Sequence, residues 1–303
     1  MTPDSRDPRR PDGRAGFTLI EILVALIISG IVVSAIFQLL QGNSRFVERQ
    51  SAREEVQQNA RAALDLIAGD LRAVPPGGIV EMQPDRIRVL QPRAWGVLCN
   101  TVKPATVTAW VLFPANVVPD ETFFGRPHWG IGIEQTTDPL VHTGAYRFIA
   151  GPTRDTSADL CGAVQPQASA DRVRLGFITP GPPFTLGDSV PAGTQVMLFE
   201  EIRYDVAPSG SGGVPGTWIR RMIGYSGAAP NMQPMAGPVP DEGALQFTYL
   251  QADGVTPALT PDQVRQIGIR VVTESRTRAA QGGTLRPEQV DTAATTVYLR
   301  NTP

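Results

Sequence analysis

The chain is poor in the residues that catalysis and metal binding draw on. Of its 303 residues only two are cysteine, Cys99 and Cys161, and two are histidine, His128 and His142. It has no His-Glu-x-x-His run, no Cys-x-x-Cys pair and no other zinc-ligand spacing, so no metal site is assigned. Neither a Gly-x-Ser-x-Gly elbow nor a phosphate loop ending in Lys-Ser/Thr is present. Ser209-Gly210-Ser211-Gly212-Gly213 is therefore turn chemistry and not a phosphate cradle. No cofactor, small-molecule substrate or enzymatic activity is expected, because no catalytic constellation is visible. Charge is also sparse. Charged residues make up 18% of the chain and the net charge is −2, which does not fit a broadly basic nucleic-acid surface. Arg265, Arg270, Arg276 and Arg278 are read as a solvated strand face and not as a DNA contact. Aromatics are 7% of the chain, and Trp95, Trp110, Trp129 and Trp218 are read as core and not as a polymer-binding platform. Asp253-Gly254 lacks the repeated acidic positions of a calcium loop and reads as a turn. His128, in Arg126-Pro127-His128-Trp129, reads as a loop residue.

Turn formers and apolar residues are plentiful. The 28 prolines and 30 glycines favour many short strands and long loops over a helical bundle. With 42% apolar residues the chain can build a core, which argues against full disorder. Its length suits one good-sized domain or two small ones.

The apolar residues are concentrated in residues 16–40, GFTLIEILVALIISGIVVSAIFQLL. From Phe17 to Leu40 the clearest polar interruptions are Glu21, Ser29, Ser34 and Gln38. As a helix this stretch reaches about 36 Å, enough to cross a bilayer core of about 30 Å. Arg6, Arg9, Arg10 and Arg14 precede it and stay cytoplasmic by the positive-inside rule. A secretory signal has a shorter apolar stretch with its cleavage site after it. A plain anchor fits the length but leaves Glu21 unexplained, since a carboxylate in a membrane helix costs about 2–3 kcal/mol.

Leader, Gly16, Phe17, Glu21 and apolar length together resemble the type IV prepilin signal. The resemblance implies cleavage after Gly16, N-methylation of Phe17, and pairing of the Glu21 carboxylate with the N-terminal amine of a neighbouring subunit. It also implies three kinds of partner: other pilins, a prepilin peptidase and an inner-membrane assembly platform. Localisation follows, first single-pass in the inner membrane, then in a pilus, the periplasm or at the cell surface. If the signal exports the rest, Cys99 and Cys161 lie in an oxidising compartment. They then form either a disulfide, stabilising by about 4 kcal/mol on the chain-entropy account, or two separate buried thiols.

Val56, Ala60, Ala63, Leu64, Ile67 and Leu71 recur at three- and four-residue spacing, with Arg53, Glu54, Gln57, Gln58, Arg61 and Asp65 mostly between them. Residues 44–73 therefore read as an amphipathic continuation of the helix. Gly42 is a soft point, and Pro75-Pro76-Gly77-Gly78 is the stop. Beyond the stop the period changes to two. Strands are expected at 86–90, 106–111, 172–177, 195–204, 218–223, 245–250, 264–273 and 296–299. Turn-rich stretches are expected at 114–120, 151–158, 179–194, 206–216 and 225–243. The expected fold class is α+β, a long N-terminal helix packed on a mainly antiparallel sheet. The expected divisions are a leader (1–16), a membrane and filament-core helix (17–40), its amphipathic continuation (41–75) and a β-rich globular domain (76–303).

The order of the later strands is similar to that of PilW-type minor pilins and J-type pseudopilins of type II secretion. It runs from the hairpin of 195–204 and Thr217–Arg221, through Leu245–Leu250 and Val264–Val271, to Val297-Tyr298-Leu299-Arg300-Asn301. That resemblance implies a minor pilin supporting pilus assembly and motility. A J-type pseudopilin and a DNA-uptake or adhesion pilin are the alternatives.

Overall fold

A computed structural model describes residues 18–102, 108–117, 121–124, 129–150, 152–155, 161, 172–178, 189–208, 216–223, 231–276, 278–281, 284–287 and 289–299. In chain order its elements are α1 (Leu19–Arg72), β1 (Ile79–Gln83), β2 (Arg86–Leu98), β3 (Thr108–Pro114), α2 (Glu121–Phe124), β4 (Trp129–Glu134), β5 (Tyr146–Ala150), β6 (Thr153–Asp155) and β7 (Arg172–Ile178). There follow β8 (Gln195–Pro208), β9 (Thr217–Ile223), β10 (Asn231–Val239), β11 (Leu245–Leu250), a 3₁₀ turn (Pro261–Gln263), β12 (Gln266–Glu274), β13 (Arg278–Gln281), β14 (Thr284–Pro287) and β15 (Val290–Tyr298). The chain divides into two units, residues 1–51 and 52–303.

The described part of the first unit is α1 up to Ser51, continuous through Gly42, with every residue exposed. Its Leu, Ile, Val and Phe side chains cover the whole circumference from Leu19 to Leu40. A helix that is apolar all round calls for a hydrocarbon or protein environment on every side. It is the one helix among the described residues long and apolar enough to cross a membrane.

The second unit begins where burial begins. Ala52, Val56, Ala60, Ala63, Leu64, Ile67, Ala68 and Leu71 form the buried stripe of α1. All eight lie at helical spacing, so the periodic apolar face is what seats the helix. The helix ends in tightened turns, with the amides of Ala73 and Val74 donating to the carbonyls of Asp70 and Leu71. Pro75-Pro76-Gly77-Gly78 then closes a turn through Gly78 N–H to Pro75 O, 2.9 Å, with Gly77 at φ +71°. A type II turn needs that positive φ at its third residue, which glycine adopts without strain.

One large antiparallel sheet carries most of the remaining strands, and its two central strands share their edges. β8 pairs with β2 along almost its whole length, from Gln195↔Val97 to Tyr204↔Ile87. The other edge of β8 takes β4 at residues 196–200 and β9 at 202–208. Similarly β2 takes β1 at 86–89 and β3 at Val97 and Leu98. A register shift between Pro92 and Ala94 marks the changeover. The sheet thus has two halves with separate cores. Ile87, Val89, Ile202 and Tyr204 pack with α1. Ala94, Leu98, Val196 and Leu198 pack instead with Phe113, Trp129, Ile131 and Phe177. Glu200, 3% exposed, lies between them on β8 and accepts hydrogen bonds from Arg93 at the bulge, 2.8 Å from Nε.

A second antiparallel sheet, β11-β12-β15, closes the α1 core. Its registers Leu245↔Val271, Phe247↔Ile269 and Tyr249↔Ile267 put these side chains on one face, and all six are buried in the α1 core. Gln246, Thr248 and Arg270 alternate with them and face solvent. The architecture is α+β, a long N-terminal helix packed against antiparallel sheets as in type IV pilins. The strand expected at 106–111 begins at Thr108, with 103–107 outside the described residues. Four stretches expected to be turns contain strand residues, β3 ending on Pro114 within 114–120 and β8 running on to Pro208 within 206–216. β6 lies within 151–158 and β10 within 225–243. β10 holds Pro234 and Pro238 because it is the edge of the large sheet, where a missing N–H is tolerated.

Candidate functional site

The first turn of α1 is a capping box. Thr18 precedes the helix, and its hydroxyl oxygen accepts from Glu21 N–H at 3.3 Å. The Glu21 carboxylate reaches back, with Oε2 accepting from Thr18 N–H at 3.0 Å and from the Thr18 hydroxyl at 3.1 Å. Two orphan amides of the helix start are satisfied reciprocally, and a negative charge sits at the positive end of the helix dipole. Oε2 therefore caps the chain's own helix, and Oε1 is without a partner among the described residues. The signal Thr18-x-x-Glu21 is legible in the sequence, yet Thr18 is not among the residues expected to act. Gly16 and Phe17 lie outside the described residues.

The seat of α1 on the large sheet is fastened by a second polar group of residues. Asp70 accepts at Oδ1 from Gln91 Nε2 (2.6 Å) and at Oδ2 from Arg221 Nε (2.9 Å) and the Tyr204 hydroxyl. Arg221 also reaches Gln91 Oε1 at 3.3 Å. The helix, β2, β8 and β9 are thereby joined by one closed network. Burial first, then the charge and hydrogen bond of Asp70, push the Tyr204 hydroxyl far above its ordinary value. Burial likewise raises Tyr249, whose hydroxyl donates to the carbonyls of Gln83 and Arg86.

These shifts give a stability profile with a definite sign. An unfolded tyrosine ionises near pH 10 and each folded one ionises higher. Their contribution is complete below about pH 10 and is lost as pH rises above it toward the folded values. Each tyrosine costs about 1.4 kcal/mol per pH unit in that window. Thermal unfolding is expected at a constant temperature from about pH 8 to 9 and at a steeply lower one by pH 11. The Tyr249→Phe variant should fall less steeply, and an equal slope would remove Tyr249 from the account.

Cys99 and Cys161 are joined by a disulfide, Cα–Cα 4.9 Å, and pack with Trp110 and Leu112. The bond spans 62 residues, which on loop entropy stabilises by about 4 kcal/mol. Asp253 serves its own turn, accepting from the amides of Val255 (3.0 Å) and Thr256 (2.9 Å) and from the Thr256 hydroxyl. These bonds, the Thr256 hydroxyl first, hold its carboxyl below the usual range. Arg265 binds the carbonyls of Asp262 and Val264, Arg270 binds Gln246 and Arg276 pairs with Glu55. Trp110, Trp129 and Trp218 are buried, whereas Trp95 is 36% exposed. His142 contacts Glu134, while His128, the 209–213 run and the side chain of Arg278 lie outside the described residues. Among the described residues no three His, Cys, Asp or Glu side chains converge on a possible cation site.

Residues 12–37 match the family model described as the prokaryotic N-terminal methylation motif. The matched stretch contains Gly16, Phe17, Thr18 and Glu21 and runs into the exposed half of α1. It supports a type IV prepilin-like protein of the kind processed by prepilin peptidase and associated with the membrane through its apolar helix. No curated protein and no solved structure gives a significant match to the chain.

Proposed function

We propose that this chain is a minor pilin, cut after Gly16, methylated on Phe17 and assembled into or at the tip of a type IV pilus. The observation that carries the reading is the methylation motif at residues 12–37 on a helix whose first unit is apolar and exposed on every side. Residues 1–16 are the leader and 17–40 the segment that passes from lipid to filament core. Residues 41–75 continue the helix, and 76–303 form the globular part outside the inner membrane. The open Oε1 of Glu21 receives the amine of Phe17 from a neighbouring subunit. Other pilins, a prepilin peptidase and an assembly platform are the partners. The protein's work is assembly, without catalysis of its own.

The β-rich part supports a specialised subunit over a bulk one. Its second core gives the large sheet a half whose buried residues cluster apart from those of the α1 seat, available to specify contacts with particular neighbours. Deletion of the gene tests the reading. Loss of surface filaments and twitching is expected, with the major pilin still made and the mature wild-type protein showing N-methylated Phe17 by mass spectrometry. Normal piliation with lost exoprotein secretion would instead assign the chain to a J-type pseudopilin.

A further inference from the structure

Trp95 is the one tryptophan of the four that is not buried, and its surroundings are those of a binding site. The registers Trp95↔Met197, Val97↔Gln195 and Val97↔Leu112 put Trp95, Val97, Gln195 and Leu112 on one face of the large sheet. This is the face opposite Ala94 and Leu98 of the second core. Here β2 and β3 pair only at Val97 and Leu98 and then diverge. In the fork lies an open cleft of about 360 Å³, lined by Trp95, Val97, Leu112, His142, Gly193 and Gln195 among others. That volume lies at the small end of ordinary ligand sites, about 300–1,000 Å³.

The polar groups of the cleft are held in place from behind. Tyr146 packs edge-on against Trp95 at 5.9 Å between ring centroids. Its hydroxyl donates to Gln195 Oε1 at 3.1 Å, which leaves the Gln195 amide NH₂ without a described partner. Burial, and then the Glu134 carboxylate, raise Tyr146 to about 12, so the hydroxyl stays a donor. His142 is two-thirds exposed, and its Nδ1 lies 3.2 Å from Oε2 of Glu134, which is 1% exposed. Glu134 Oε1 accepts from Gly144 N–H at 3.0 Å. With Nδ1 committed to the carboxylate, Nε2 is the nitrogen left for a ligand.

This lining selects a chemistry. Among the described lining residues it offers an aromatic face, an amide donor and an imidazole nitrogen, and no Lys, Arg, Asp or Glu side chain. A nucleic-acid strand would bring phosphates with no cation to meet them. An extended peptide would bring a row of backbone amides and carbonyls, and among the lining side chains only Gln195 and His142 are polar enough to meet them. A sugar ring suits this lining, being uncharged and compact, with an apolar C–H face for Trp95 and hydroxyls at its rim for the two polar side chains. We propose that this cleft binds a terminal unit of a neutral glycan, the ring stacked on Trp95 and its hydroxyls bonded to Gln195 and His142.

The test uses the full chain in lipid nanodiscs, free of sugar detergents. It is run against an array of neutral and charged glycans, with chitotetraose and cellotetraose titrated in solution. Binding of at least one neutral glycan is expected, with a change in the emission of the exposed Trp95. Trp95→Ala is expected to weaken binding at least tenfold while leaving the unfolding temperature near that of the parent, and Trp95→Phe to weaken it less. Absence of any neutral glycan binding would overturn the proposal. So would binding indifferent to Trp95→Ala, or Trp95-dependent binding only of a proline-rich peptide or single-stranded DNA. The assay does not depend on filament assembly, so a negative result leaves the minor-pilin reading in place.

Discussion

Replacing Glu21 by alanine is expected to leave cleavage intact and to cut incorporation into filaments by about a hundredfold or more. The magnitude follows from leaving a charge unpaired away from water, about 3–5 kcal/mol, at about 1.4 kcal/mol per tenfold. Alanine removes two things at once, the cap on Thr18 and the open Oε1, so it does not separate them. Two further variants do. Glu21→Gln keeps the capping box, because glutamine serves at that position as well as glutamate, but it carries no charge. Thr18→Ala keeps the charge and loses the hydroxyl that accepts from Glu21 N–H, at a cost of about 1 kcal/mol. If Glu21 works through the neighbour's amine, Glu21→Gln assembles as poorly as Glu21→Ala, and Thr18→Ala assembles nearly normally. Quantifying the mature subunit in sheared filaments, with N-terminal mass spectrometry on the membrane pool, distinguishes the cases. The reverse ranking would reduce Glu21 to a helix cap.

The sequence made the seat of α1 legible because its buried residues obey one period. All six expected positions from Val56 to Leu71 are buried, and the structure adds Ala52 and Ala68 on the same stripe. β11 and the first part of β12 were legible for the same reason, since their burial alternates, whereas β15 was expected only over 296–299 and runs from Val290 to Tyr298, with a single buried residue, Val297. β4 was not, because all six of its residues are buried and no alternation remains. Gly130 within it reads as a turn former. It is there because a Cβ would stand 2.2 Å from the Ile149 carbonyl and 2.3 Å from Phe199. β10 was hidden by its prolines, which mean edge as readily as turn. The N-terminal methylation motif was legible because its residues are contiguous. Trp95 was grouped with three buried tryptophans because residue type alone does not reveal which strand face meets solvent. Asp70, Gln91, Tyr204 and Arg221 carried no signal, being separated by up to 151 residues and joined only by the fold.

That network makes the strongest prediction for the second unit. Asp70→Ala is expected to destabilise it by about 2–4 kcal/mol, the cost of leaving a mostly buried charge without its partner, moderated by partial exposure. For a unit of this size that is about 5–12 °C in unfolding temperature. The Asp70 and Arg221 side chains are each 15% exposed, so solvent takes over only part of the lost interaction. Removing the carboxylate also takes the acceptor from the Tyr204 hydroxyl and the Gln91 amide. Asp70→Asn retains an acceptor oxygen but no charge and should fall between. Combining Asp70→Ala with Arg221→Met removes both charges and fills the space with an apolar side chain. It should recover much of the loss, because the penalty lies in the orphaned guanidinium more than in the missing bond. Urea unfolding at pH 7 of the full-length parent, the Asp70→Ala, Asp70→Asn and Arg221→Met variants and the double variant checks the series. A double variant as unstable as the sum of the Asp70→Ala and Arg221→Met costs would show that the two residues act independently. In that case the Asp70–Arg221 pair would add nothing of its own to the seat of α1.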